Sequence, residues 1–335
     1  MNGQKLNNQK NTKEIKFIAE IASSHNGSKK NFLNLIKSLI KVDVDIIKIQ
    51  IFKPDELAHS SYKFYKVLKR INLSYKNIDE ALKFIFKNKK EVILEPFDYS
   101  SYLYCKKYKN KAFLKISSSE TDNAAIFNDA LLNFKKIFFS VPGKNIKDIK
   151  KIFKNNHRYK NKIIPTYGFQ SFPTNLKDLR LPMLKNLSKL NGNACYADHT
   201  SSDSIALNLL VISKSIKLGA NYIEKHVTLD RFKNYPDSES SLDVDQFNEM
   251  IKFFKTQIPI KSTLSLMEKK YSVGMKKYAV LKNDIEKNSK VASKDIKFLR
   301  TGTRGIDINQ FNKIEYLLTK KKLKKNEILQ TEFFC

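Results

Sequence analysis

The chain has 335 residues and carries 63 Lys and Arg against 33 Asp and Glu, a net charge of +30. No run of 18 apolar residues occurs, and the polar N-terminus lacks the apolar core of a signal peptide, so we expect a cytoplasmic protein without a membrane anchor. Because lysine is spread along the whole chain, we expect no specific nucleic-acid binding, only a positive field that attracts anions.

Eight β-like segments alternate with helix-like segments over the first 250 residues. Most are short runs rich in Ile, Val and Phe, which is typical of strands buried on both faces. Strict alternation predicts a parallel sheet, and eight such units predict a closed (β/α)8 TIM barrel. No Gly-x-Gly-x-x-Gly follows a strand, which argues against a dinucleotide-binding fold. The predicted strands span residues 17–22, 45–52, 91–97, 113–117, 136–141, 162–168, 194–198 and 222–228.

The segments between these strands have the periodicity of amphipathic helices. Apolar residues recur with a period of about 3.6, so one face of each segment is suited to pack against the sheet. Ser, Asp and Asn residues mark several of their starts. The clearest predicted helices span residues 31–41, 77–87, 175–190 and 204–218.

The pattern changes after Phe254. Residues 258–276 have the character of a connector, and residues 277–335 contain short β-like segments around a turn-rich loop at 301–305. A unit of this size would be marginally stable alone, so we expect it to dock on another surface. The sequence therefore predicts a disordered lead-in (1–15), a barrel (16–257), a linker (258–276) and a small C-terminal unit (277–335).

Polar side chains collect at the C-terminal ends of the predicted strands, where TIM barrels carry their active sites. Lys48 on the second strand and Lys115 on the fourth lie within apolar segments. An unpaired buried lysine costs free energy, so an anionic ligand such as a phosphate with a carboxylate is expected beside them. The alternative is that both lysines form ion pairs with Glu20, Glu95, Glu120 or Glu224.

Two histidines, His199 and His226, follow or end the seventh and eighth strands with a helix-length connection between them. Parallel strands joined in this way bring the two residues side by side. Either histidine alone is better interpreted as a core residue. Together, beside Asp198 and Glu224, they predict a metal site. Two imidazoles with oxygen ligands suit manganese, and magnesium, iron and zinc are alternatives.

Motifs along the chain resemble those of the sialic acid synthases, the N-acetylneuraminate synthase family, which make nine-carbon nonulosonic acids. They occur in the order of that family and cover nearly the whole chain after residue 15. The C-terminal unit, with Arg300-Thr301-Gly302, resembles the antifreeze-like (SAF, β-clip) domain of these enzymes. The motifs are Ile18-Ala19-Glu20, His25-Asn26-Gly27, Lys48-Ile49-Gln50, Glu95-Pro96-Phe97-Asp98, Lys115-Ile116-Ser117-Ser118, Phe172-Pro173-Thr174, Asp198-His199-Thr200, Glu224-Lys225-His226 and Pro236-Asp237.

The resemblance implies condensation of phosphoenolpyruvate with an N-acylated aldose, either N-acetylmannosamine or a related 2,4-diacetamido sugar, with release of phosphate. It implies a divalent metal, usually manganese, and a domain-swapped homodimer in which the SAF domain of one subunit covers the barrel mouth of the other. It implies binding of the metal by His199 and His226 and, across the dimer, a contact of Arg300 with the sugar.

Matching positions within the motifs assign further roles. The resemblance implies that Glu20, Glu120 and Asp237 act near the sugar or the reacting carbons, and we favour Glu120 for handling the proton of the attacking water. The residues assigned to substrate binding are Lys48, Lys115, Ser118, Ser140, Gln170, Phe172, Asp198 and Arg300.

The sequence also departs from the family pattern around these sites. Val141 follows Ser140 where Thr is usual, Gln170 stands where a small polar residue or Asn is common, and Ala197 replaces a usual Ser. The acceptor sugar is therefore left open. The alternatives are another barrel synthase or lyase that uses phosphoenolpyruvate or pyruvate with a different acceptor, a relative that binds without turnover, and a basic nucleic-acid binder.

Overall fold

The computed structural model describes residues 14–233, 235–256, 263–314 and 316–335. The chain divides into two compact units, with the division between Thr256 and Gln257. Residues 1–13 of the predicted lead-in and residues 258–262 of the predicted linker lie outside the described residues. None of the described helices combines the length and the apolar character that crossing a bilayer requires.

The first unit is built on eight parallel strands that close into a barrel, as predicted. Closure follows because β1 pairs with β8 as well as with β2, and Glu20 and His226 are register partners in the closing pair. Every predicted strand is present with ends that differ by at most one or two residues. A ninth short strand, β9 (Ser241–Asp243), adds to the end of β8. The barrel strands are β1 (Lys16–Glu20), β2 (Ile46–Ile51), β3 (Glu91–Pro96), β4 (Phe113–Ile116), β5 (Ile137–Ser140), β6 (Ile163–Tyr167), β7 (Cys195–Asp198) and β8 (Tyr222–Thr228).

The inward-facing rows of these strands change from apolar to charged along the barrel axis. Ile18, Ile46 and Ile93 belong to a buried cluster inside the barrel. Two residues further along each strand come Glu20, Lys48 and Glu95, which point to the same side because side chains alternate. An apolar layer thus fills the N-terminal end of the barrel and supports a charged layer at its C-terminal end.

Helices on the outside of the barrel pack against the other face of the strands and form the larger core. Side chains of Ser28, Ser74 and Asp98 cap three helix N-termini by accepting backbone hydrogen bonds, which satisfies donors that the first turn leaves free. The helices of this unit are α1 (Lys29–Ile40), α2 (Pro54–Leu57), α3 (Tyr65–Ile71), α4 (Tyr75–Lys87), α5 (Tyr99–Lys106), α6 (Ala124–Asn133), α7 (Ile146–Asn155), α8 (Met183–Asn191), α9 (Ile205–Lys217) and α10 (Val244–Lys255).

One predicted helix, residues 175–190, is wrong in its first half. The structure has a short 3-10 turn at Leu176–Asp178, and α8 begins only at Met183. Pro182 sits at the N-cap of α8, and proline disfavours helical backbone in the residue before it. The leucine spacing indicated a continuous helix that the proline does not permit.

The second unit has its own small core around a two-stranded antiparallel sheet. Its elements are α11 (Leu266–Met275), β10 (Lys277–Leu281), β11 (Ile296–Arg300) and α12 (Ile308–Ile314). The predicted connector therefore contains a helix, α11, which Ser265 and Glu268 begin with a reciprocal capping box. Two of the short β-like segments of this unit, residues 290–292 and 328–329, contribute only isolated bridges, to Leu318 and Val280. The assignment of this unit as an SAF domain stays a prediction.

Candidate active site

A buried cluster of five charged side chains occupies the C-terminal end of the barrel interior. Nζ of Lys48 lies 2.8 Å from Glu95, 2.7 Å from Glu224 and also in contact with Glu20. Nζ of Lys115 lies 2.7 Å from Glu224 and 3.6 Å from Glu95. Each of the five residues is at most 4% exposed. Both lysines therefore have protein partners, as the ion-pairing alternative states.

Burial and neighbouring charges have opposite effects on the pKa values within this cluster. Burial raises the pKa of Glu224, but the charges of Lys115 and Lys48 outweigh it and hold that pKa well below its usual range. Burial lowers the pKa of Lys115, and the carboxylates of Glu224 and Glu95 outweigh it, so the net pKa is raised. For Lys48, burial outweighs the attraction of the Glu224 and Glu95 carboxylates, so its pKa is lowered.

The two histidines lie side by side at the mouth, with ring centroids 5.2 Å apart. The ring of Phe172 packs against both, at 4.7 Å from His199 and 5.5 Å from His226. Burial lowers the pKa of His199 to about 4 and lowers that of His226 well below its usual value. Both imidazoles are therefore neutral at neutral pH, the form that binds metals.

The residues present fit a metal held by two imidazoles. Nδ1 of His199 lies 2.8 Å from the carbonyl oxygen of Phe169, so its N–H donates there and leaves Nε2 with a free lone pair. Nδ1 of His226 is buried and has no hydrogen-bond partner in the described part of the chain. No group of three or more His, Cys, Asp or Glu residues within the described ranges could hold a metal. Oxygen atoms of water or substrate would have to complete the coordination, as in catalytic sites with open positions.

Three predicted substrate-binding residues lie at the ends of β4, β5 and β6. Ser140 is the last residue of β5 and is buried. Oγ of Ser118 is buried and, among the described residues, has no hydrogen-bond partner. Gln170 lies after β6 and is exposed. Glu120 is half-buried in the turn after β4, where its carboxylate accepts a hydrogen bond from Asn123 at 2.9 Å.

Three other predicted site residues lie at the end of β7, in the loop after β8 and at the end of β11. The carboxylate of Asp198 faces away from the barrel interior and accepts hydrogen bonds from Tyr196 and Thr200, so the structure does not bring it to the mouth. Asp237 has left-handed backbone with a φ of 67° and accepts hydrogen bonds from Ser23, which joins the loops after β8 and β1. Arg300 is exposed at the end of β11, in the second unit.

A model of the NeuB family matches residues 35–259. The chain belongs to the NeuB family. The resemblance to the sialic acid synthase family that the motifs indicated is confirmed, because relatives named pseudaminic acid synthase and N,N'-diacetyllegionaminic acid synthase match most of this NeuB-family chain. Pseudaminic acid synthase from Campylobacter jejuni is 29% identical over 311 residues, which cover 87% of this chain and 85% of the relative. N,N'-diacetyllegionaminic acid synthase from the same organism is 28% identical, covering 85% and 86%. An uncharacterised protein from Methanocaldococcus jannaschii is 28% identical, covering 87% and 86%.

Solved structures of low sequence identity share the fold of this NeuB-family chain. The N-acetylneuraminic acid synthetase from Leptospira borgpetersenii, in complex with citrate, superposes with a TM-score of 0.64 at 21% identity, covering 78% of this chain and 91% of that one. A putative spore coat polysaccharide biosynthesis protein from Chromobacterium violaceum gives a TM-score of 0.63 at 17% identity, covering 96% and 100%. These likenesses confirm the predicted barrel.

The mouth of this NeuB-family barrel also includes a segment that the sequence analysis missed. A cavity of about 510 Å³ lies beside Ser118 and Gln170, and much of its wall comes from the long connection between β2 and α4. The feature of the sequence that could have indicated this segment is the unusual length of the connection, which α2 and α3 interrupt. Its wall residues are Leu57, Ala58, His59, Tyr62, Leu68, Phe97 and Ser119.

Proposed function

We propose that this chain condenses phosphoenolpyruvate with an N-acylated aldose and releases phosphate and a nonulosonic acid. The supporting observation is the juxtaposition, at one barrel mouth, of the Lys48–Lys115 pair with two neutral imidazoles. The relatives named pseudaminic acid and N,N'-diacetyllegionaminic acid synthases favour an N-acylated acceptor. N-acetylmannosamine and a 2,4-diacetamido sugar are the two acceptor classes that we propose.

In this proposal the two lysines bind the phosphate and carboxylate of phosphoenolpyruvate. The glutamates hold both ammonium groups in position before substrate arrives, so little reorganisation is needed as charge develops on the departing phosphate. In the same proposal, Ser118 and Ser140 donate hydrogen bonds to substrate oxygens. The new bond joins the methylene carbon of phosphoenolpyruvate to the aldehyde carbon, and water adds to the adjacent carbon before phosphate leaves.

His199 and His226 are the residues that would hold the metal, for which we propose manganese. A divalent metal there would polarise the sugar aldehyde as a Lewis acid. The carboxylate of Glu224, on the same strand as His226, favours a cation at this position. Glu120, half-buried beside the mouth, is our candidate for taking the proton of the attacking water.

The test is phosphate release from phosphoenolpyruvate in the presence of Mn²⁺ and a panel of N-acylated hexosamines, with products identified by mass. We expect release with a mannosamine or diacetamido sugar and a product mass equal to the acceptor plus pyruvate. Reactions without acceptor measure background hydrolysis. A product of a different mass would indicate another acceptor class, and no turnover combined with no binding of phosphoenolpyruvate would contradict the proposal.

We further propose a domain-swapped homodimer in which Arg300 reaches the site of the other subunit. Arg300 is exposed and outside the barrel unit, so this arrangement can be tested by complementation. Mixing inactive Arg300→Ala and His226→Ala subunits should restore about a quarter of wild-type activity, because half of the dimers would contain one intact site. Mixed dimers that are confirmed by mass and remain inactive would contradict shared sites.

A further inference from the structure

A fully buried ion pair lies behind the two candidate metal ligands. Nζ of Lys225 is 2.9 Å from Oδ2 of Asp198, and neither side chain is exposed. The two residues are register partners on β8 and β7. Because side chains alternate along a strand, Lys225 faces away from the interior that Glu224 and His226 face. The pair is therefore separated from any ligand in the barrel mouth by the strands themselves.

This ion pair fixes the backbone on both sides of His199. Oδ1 of Asp198 accepts hydrogen bonds from the backbone N–H of Thr200 at 3.2 Å and from its Oγ1 at 2.8 Å, so one carboxylate spans the histidine between them. Nζ of Lys225 donates to the carbonyl oxygen of Thr200 at 2.9 Å. Nδ2 of Asn208, on α9, donates to Oγ1 of Thr200 at 3.0 Å. The backbone around His199 is thus joined to β8 and to α9.

The same contacts join the two histidines. Lys225 directly precedes His226, so its ammonium group connects the strand that carries His226 to the residues that flank His199. The backbone carbonyl of His199 accepts further hydrogen bonds, from Thr174 N–H at 2.8 Å and from Oγ of Ser240 at 3.0 Å. With its backbone held at each of these points, the direction of the His199 imidazole is set by the surrounding protein.

Stability is a poor explanation for an ion pair in this position. Removing two charges from water costs about as much as their attraction returns, and apolar replacements of similar volume are often neutral or stabilising. Hydrogen bonds that orient metal-binding imidazoles from behind, by contrast, have large effects on metal affinity. The contacts of this pair lead to the backbone of the two histidines.

We infer that Asp198 and Lys225 are positioning residues that set the direction and separation of His199 and His226 for a divalent cation. The inference rests on the proposed function, because it requires a cation between the two imidazoles. Asp198 accordingly acts through His199 and not by touching substrate.

The test is a direct titration of the full-length protein with Co²⁺, followed by visible absorption. Asp198→Leu combined with Lys225→Met replaces the pair with apolar side chains, and we expect the affinity for Co²⁺ to fall by about 10- to 100-fold. Asp198→Asn combined with Lys225→Met keeps an oxygen that can accept from Thr200, so it should lose less affinity. Phosphate release by both variants should recover at saturating metal, which a misfolded site would not allow.

The matched control replaces a second ion pair, at the opposite end of the barrel. Lys16 and Glu91 begin β1 and β3 and lie 2.8 Å apart, and Lys16→Met with Glu91→Leu should leave the Co²⁺ affinity unchanged. Wild-type affinity in any folded variant that lacks Lys225 would overturn the positioning role. Failure of the wild-type protein to bind Co²⁺ would overturn the proposed metal site together with this inference, whereas loss confined to the Lys225 variants supports both.

Discussion

Replacing His226 with alanine is expected to lower kcat for phosphate release by at least about a thousandfold, since Lewis-acid activation is worth several kcal/mol. His226 supplies one of two imidazoles at the mouth, and the centroid of the other ring, that of His199, lies 5.2 Å away. The described residues contain no third His, Cys, Asp or Glu that would complete a metal-binding group with them. Loss of one ring should therefore abolish binding of the proposed metal. Steady-state phosphate release and Mn²⁺ binding measure the two effects.

The fold should survive this change. Nδ1 of His226 is buried without a partner in the described residues, so truncation removes an unsatisfied polar group as well as packing. His157→Ala is the matched control, because His157 is exposed in a 3-10 segment and belongs to no predicted site. A folded His226→Ala protein that retains wild-type turnover would rule out the metal role assigned to this residue.

Replacing Lys48 with methionine is expected to lower the free energy of unfolding by about 3–5 kcal/mol at pH 7, because buried carboxylates lose their counter-charge. Lys48 contacts three of them, and Glu20 has no other ion-pair partner among the described residues. Phosphoenolpyruvate binding should be lost as well. Urea unfolding and a binding titration provide the two measurements.

The pH dependence identifies the cause of this instability. Without the ammonium group, the buried carboxylate of Glu20 has no counter-charge, so the penalty is full at high pH and relieved as the carboxyl becomes protonated. The difference from wild type should accordingly be smaller at pH 5 than at pH 8. Lys48→Met with Glu20→Gln should regain part of the loss.

The control is Lys16→Met, which breaks a half-buried ion pair and should cost at most about 1 kcal/mol. Equal losses in Lys16→Met and Lys48→Met would argue against the buried cluster as the cause.

The barrel could be predicted from the sequence because its strands have a simple signature. Strands buried on both faces are continuous apolar runs, and the charged residues of the candidate site, such as Lys48 and Glu95, stand out within these runs. The positions of Lys48, Lys115, His199 and His226 at one mouth followed from strand order alone, and the structure brings them together.

Other features depend on contacts that no local pattern encodes. Asp198 stands beside His199 in the sequence, yet its carboxylate faces away from the barrel interior, because side chains alternate along β7. The ion pairs of Lys48 join residues as far apart as 176 positions, so only the closed barrel shows which glutamates it meets. The cavity wall formed by Leu57 and Tyr62 depends on how an irregular connection folds back.

The pairing of β1 with β8 has a consequence for how the protein is made. Glu20 and His226, which face each other across this seam, are separated by about 200 residues of chain, and contacts so distant in sequence form slowly. The ribosome will have released β1 long before β8 emerges, and until then β1 has an unpaired edge that can associate with other chains. A fragment that ends before residue 222 would lack that seam entirely. The risk of aggregation during synthesis is therefore greatest before the last barrel strand has been translated.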